Sequence, residues 1–179
     1  MLEFTEGFSA LRFYFRKMEP TIIFRQRVPG LSKLQLAAFV SEVCKSVKLA
    51  GAVTVLVTDN REMRALNQRF RGKKISTDVL SFPGPEFLED FAGDIAVCLD
   101  VAAKNAATLG HSVSIEVRVL VLHGILHLAG YDHEADSGEM SGEMNRIETH
   151  LRRKLGLPQS LIERVEKPLS TRRKARSHS

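Results

Sequence analysis

Apolar and polar positions change period several times along this chain, and the changes mark its elements. Thr21 to Arg27 is rich in β-formers and is bounded by Val28-Pro29-Gly30, which predicts a first strand. From Leu31 to Leu49 the apolar residues Leu34, Ala37, Ala38, Val40, Val43, Cys44 and Val47 recur at helical spacing, and Ser32 is placed to cap that helix. Ala52 to Thr58 predicts a second strand. Asp59 or Asn60 then starts a short helix through Phe70, with Met63, Leu66 and Phe70 on one stripe. Asp78 to Phe82 predicts a third strand, stopped by Pro83-Gly84-Pro85, and Asp94 to Leu99 a fourth. Three helices follow. Ala102 to Leu109 is closed by Gly110. The next is capped by Ser112 or Ser114 and runs to about Ala129. The last spans about Ser137 to Leu155, with Met140, Met144, Ile147, His150, Leu151 and Leu155 as its inner face. The order β-α-β-α-β-β-α-α-α predicts an α+β domain, one small mixed sheet of about four strands packed by helices.

The two ends fall outside this pattern. Residues 1–19 hold four of the ten phenylalanines without a helical or strand period. They read as an N-terminal extension, with Met18 as the expected start of the functional protein. Residues 161–179 read as a basic, disordered tail. Lys167, Arg172, Arg173, Lys174 and Arg176 lie there without any acid after position 166, and they account for the whole net charge of +5. Such a tail is expected to hold phosphates without sequence preference. The folded unit is therefore expected over residues 20–160.

With 44% hydrophobic and 26% charged residues among 179, the chain has the composition of a globular domain with a real core. Cys44 and Cys98 stand far apart in apolar segments and read as buried free thiols of a reducing compartment. No apolar run has the length of a membrane span, and the N-terminus lacks the pattern of a signal peptide. A cytoplasmic location without membrane partners is expected.

The candidate chemistry is concentrated in His123-Gly124-Ile125-Leu126-His127-Leu128-Ala129-Gly130-Tyr131-Asp132-His133. His123 and His127, four apart, share one face of a helix. Gly130 can end that helix in a left-handed conformation and let the chain return His133 to the same point. Three converging imidazoles make a zinc site of the catalytic kind, with the fourth tetrahedral position left for water. Imidazole ligands also suit nickel and copper. The spacing His-x3-His-x2-Gly-x2-His is that of the metzincin proteases, but those carry a glutamate directly after the first histidine as general base. Gly124 stands there instead and cannot move a proton, which weighs against peptide hydrolysis.

Asn67, Arg71-Gly72-Lys73, Thr77-Asp78-Val79-Leu80-Ser81-Phe82, Gly93-Asp94-Ile95 and the block from His123 to His133 occur in the order seen in the YbeY-type endoribonucleases, and over about residues 20–157 the chain resembles that family. The resemblance implies a single-strand-specific, metal-dependent endoribonuclease. It would act in small-subunit rRNA maturation and ribosome quality control, with rRNA, the small subunit and its assembly proteins as partners, and no DNA. It also implies that His123, His127 and His133 hold one zinc ion and that Arg71 is the catalytic phosphate clamp. The guanidinium fork suits phosphate oxygens and charge that develops in a transition state. The nucleophile stays open between an activated water and the RNA 2′-hydroxyl.

Lys73 and Lys74 read as groove charges. Asp78 and Ser81 read equally as cleft residues or as structural parts of a strand. Asp132 is either an acceptor for a ligand imidazole or a surface carboxylate. His111 and His150 read as a loop and a helix residue, and His178 lies in the tail. Two other functions compete with RNA cleavage. One is a zinc peptidase or other zinc hydrolase, argued from ligand spacing. The other is a ribosome-assembly factor with a structural metal.

Overall fold

The computed structural model of the protein describes residues 19–131 and 138–158. The expected N-terminal extension, the start at Met18, His133, Asp132, His178 and the basic tail lie outside the described residues. Four strands and five helices are described: β1 Thr21–Phe24, α1 Lys33–Ser46, β2 Ala52–Thr58, α2 Asn60–Arg71, β3 Val79–Pro83, β4 Phe91–Cys98, α3 Leu99–Leu109, α4 Val113–Leu128 and α5 Gly138–Lys154. Their order is the expected one. β1 stops three residues short of the predicted Arg27. β4 starts three residues before the predicted Asp94 because Phe91 already pairs with Ala52.

The strands form one sheet in the order β1-β2-β4-β3. β1 and β2 run parallel, as do β2 and β4, whereas β3 runs antiparallel to β4, with Ser81 opposite Ile95 and Phe82 opposite Asp94. Alternate side chains therefore enter two different cores. Val53, Val55, Val57, Ile95 and Val97 join the main core with α1, α4 and α5, while Leu80, Ala96 and Cys98 form a smaller one with Met63 of α2.

Local chemistry explains the helix ends. Ser32 closes a capping box with Gln35, each side chain bonded to the other's backbone N–H. Asp59 Oδ1 accepts from the Glu62 N–H at 2.8 Å. Gly72 takes φ +70°, and its N–H reaches the Gln68 carbonyl at 3.1 Å, which stops α2 directly after Arg71. Ser112 caps α4 through the Ile115 N–H.

Helix α4 runs through the core. Val117, Leu120, Val121, Leu122, Ile125 and Leu126 are fully buried, so α4 has no outward polar stripe along its middle. Among the described residues no single helix is long and apolar enough to cross a membrane; α3 and α4 together have the composition but are bent by 113°.

Two side-chain expectations are corrected. Leu34 is exposed, and α1 turns Leu36, Phe39, Val40 and Val43 inward instead. On α5 His150 is exposed, whereas Glu148 and Arg152 are buried beside Met144 and Leu151. Burial of that charged pair is possible because each neutralises the other.

Candidate metal centre and RNA cleft

One cleft of about 670 Å³ gathers most of the residues singled out by sequence. Its wall takes Arg71 from the end of α2, Lys73 from the following loop, Asp78 and Ser81 from the β3 region, and His123 and His127 from α4. Lys74 is exposed, and the cleft wall does not include it.

His123 and His127 are brought together as their spacing predicts. Their Nε2 atoms are 3.1 Å apart, with ring centroids at 4.7 Å and planes at 78°. Gly130 has φ +87° and follows the end of α4, as expected. The position of His133 lies outside the described residues, so the structure brings two of the three expected ligands together.

Which atoms these rings present follows from α5. Glu148 Oε2 lies 3.3 Å from His123 Nδ1. Burial pushes the Glu148 carboxyl up, but the hydrogen bond from His123 and the charge of Arg152 outweigh it and hold it at about 2. Glu148 is thus a carboxylate and can only accept. His123 Nδ1 must then carry the proton, and in a neutral ring Nε2 is left as a lone pair. That lone pair faces His127 Nε2. Two ring nitrogens directed at one point, with the outer nitrogen of one ring fixed by a carboxylate, are the donor chemistry that suits zinc. Among the described residues no group of three potential ligands is present.

Glu148 is itself fixed. Arg152, one turn further along α5, donates to Glu148 Oε1 from Nε at 3.0 Å and from its Nη2, and its Nη1 donates to the Pro158 carbonyl at 3.3 Å. The arginine also lines the cleft. A second buried carboxylate, Glu116, lies two helical turns before His123. Asn105 Nδ2 donates to it at 3.2 Å, and His111 Nε2 stands 3.3 Å from its other oxygen. His111 is thus a loop residue that reaches the cleft. Sequence reasoning missed Glu148, Arg152, Asn105 and Glu116. Their signal was a polar residue at a position where the helical period demands an apolar one.

Ser81 and Asp78 have structural duties in addition to lining the cleft. Ser81 Oγ donates to the Gly124 carbonyl at 3.3 Å, tying β3 to α4. Asp78 Oδ1 accepts from the Val79 N–H at 2.8 Å. Gly124 itself is a point of close approach. A Cβ built there would stand 2.9 Å from Ile95 Cγ2 and 3.1 Å from Ser81 Oγ. A glutamate in the metzincin position would therefore drive into the sheet. The helix packs too close to the sheet there to accommodate a side chain in the position of the peptidase base.

The family model described as endoribonuclease YbeY matches residues 22–156. The chain is 49% identical over 147 residues to the endoribonuclease YbeY of Koribacter versatilis, covering 82% of this chain and 93% of that one. It is 40% identical over 148 residues to the endoribonuclease YbeY of Solibacter usitatus, covering 82% and 95%. A Thermotoga maritima protein solved in solution superposes with a TM-score of 0.52 at 35% identity, over 76% of this chain and 91% of that chain. The chain belongs to the YbeY endoribonuclease family.

Proposed function

We propose that this protein is a cytoplasmic, metal-dependent endoribonuclease that cuts single-stranded RNA, acting on small-subunit rRNA during maturation and ribosome quality control. The observation that carries this reading is the 3.1 Å approach of the His123 and His127 Nε2 atoms in a cleft that Arg71 also lines. His123, His127 and His133 would hold one zinc ion, which supplies Lewis acidity to a phosphoryl oxygen or to water.

The remaining work falls to the chain's own residues. Glu148 accepts a hydrogen bond from the His123 Nδ1–H and keeps the ring in the tautomer that presents Nε2. Arg152 keeps Glu148 charged and in place. Arg71 grips a phosphate through paired N–H donors and stabilises the charge that builds on its oxygens during cleavage. Lys73 adds a point charge to the same wall. The apolar body of α4 shields the rear of the histidines from water, which strengthens the contacts among His123, Glu148 and Arg152.

The test uses the metal-loaded protein on a single-stranded RNA and on a duplex of the same sequence. Cleavage of the single strand alone is expected, and His127→Ala should abolish both cleavage and metal retention. Undiminished cleavage by His127→Ala would overturn the reading.

A further inference from the structure

We infer that the C-terminal half of α2 and the loop after it form a landing track for single-stranded RNA, with Phe70, next in the chain to the cleft-lining Arg71, as a stacking platform for an unpaired base. The inference rests on the RNA reading above and adds a binding subsite to it. Phe70 is 56% exposed although it is a large aromatic residue on a helix whose Met63 is fully buried. Its ring does not hang free. Phe82 of β3 supports it, with centroids 4.8 Å apart and planes tilted by 55°. The guanidinium of Arg69 lies 5.4 Å from the ring centroid.

The surroundings are strongly cationic. Arg61, Arg64, Arg69, Arg71, Lys73 and Lys74 are all exposed, and the only acid in residues 60–74 is Glu62, which pairs with Arg25. Arg71, Lys73 and the 61% exposed Ile75 belong to the wall of the histidine cleft. One continuous segment therefore carries an exposed aromatic, several cations and a direct connection to the cutting site.

Single-stranded nucleic acid is the partner this combination fits. Its bases have free π-faces that stack on aromatic rings and on guanidinium planes, and its phosphates follow a line of cations. A duplex hides its bases, so it could use only the charges. Arg69, exposed, has to lift from the ring to admit a base, either as the second side of a sandwich or by swinging to a phosphate and yielding that face. A protein partner would have to cover these cations with acids and would not need an exposed ring supported from behind.

The experiment measures binding in the metal-free protein, so that cleavage does not enter. A short single-stranded RNA carrying 2-aminopurine at successive positions reports stacking by quenched fluorescence. Wild type should quench one position strongly. Phe70→Ala should remove that quenching and weaken binding by about tenfold, in keeping with the worth of one base stack. Phe70→Tyr should restore both. Phe70→Leu keeps the apolar contact with Phe82 and serves as the folding control. It should bind as poorly as Phe70→Ala.

Wild-type binding without any effect of Phe70→Ala would overturn the platform and leave the endoribonuclease reading intact. Absence of wild-type binding would instead count against the RNA reading itself. If Phe70→Leu binds RNA as wild type does, an apolar contact and not stacking is at work, and the inference fails. Equal affinity of wild type for the single strand and the duplex would likewise overturn it, since that is the behaviour of charge alone.

Discussion

Glu148 serves two partners whose demands differ. His123 needs an acceptor to fix its tautomer, and Arg152 needs a negative charge to justify its burial. Replacing Glu148 with Gln keeps an acceptor near Nδ1 but removes the charge. Metal affinity is expected to fall by about 10–100-fold, as for other supports of a ligand imidazole, measured by competition with a chelator. Arg152→Ala leaves a buried carboxylate without its cation and is expected to cost about 3–5 kcal/mol of stability in urea unfolding. Arg71 is different because it is exposed at the end of its helix. Arg71→Ala should lower RNA cleavage by about 100-fold or more, the usual loss of one transition-state donor, with metal content and melting temperature unchanged. Arg71→Lys should restore only part, because an ammonium cannot grip bidentately.

At the scale of the element, α4 sets the terms. Gly124→Ala would normally stabilise a helix by about 1 kcal/mol. Here the new Cβ would press on Ile95 Cγ2, which belongs to a χ1-stiff side chain buried between strand and helix. Overpacking of this kind costs about 1–3 kcal/mol and should win, so the variant is expected to unfold at lower urea. The same helix shows how much was legible in sequence. Its histidines were, since a four-residue step on a helix fixes their common face. The ends of most elements were also readable, because Ser32, Asp59, Ser112 and Gly110 carry their own capping chemistry. The place of Arg71 on the cleft wall was not readable from its residue type, since a basic turn looks like any solvated surface, and its candidacy came from the resemblance. Glu148 and Arg152 were missed because an inner face was sought among apolar residues. An ion pair at i, i+4 satisfies its own charges and can occupy that face without an apolar signature. His150 was placed inward for the converse reason.

Across the whole molecule, two properties follow from charge and burial. Burial pushes the Cys44 thiol up to about 11 from an ordinary 9.0. Its folded value lies above the unfolded one. The stability it contributes is therefore complete below pH 9 and is lost as pH rises towards 11 and beyond. Denaturation by urea at about pH 8, 9.5 and 11 should show that decline, and Cys44→Ala should flatten it. The second property is the asymmetry of charge. The five basic residues of positions 167–179 equal the net charge of the chain. Deleting them should lower the salt dependence of RNA binding, by about 0.7 in slope for each phosphate that they neutralise, without moving the cleavage position. A shifted cut would show that this segment guides the RNA as well as attracting it.

The strand order carries a consequence for the moment of synthesis. β4 lies between β2 and β3, so β3 has no partner until the chain has passed residue 98. A chain leaving the ribosome can pair β1 with β2 early. Arg71 then precedes a strand with nothing to hold it, and the histidines are not yet made. The cation wall and the imidazole pair meet only when β4 has been inserted and α4 has packed across it through Gly124 and Ser81. The two walls of the cleft are therefore built at separate stages of synthesis, and the cleft cannot close before α4 has been made.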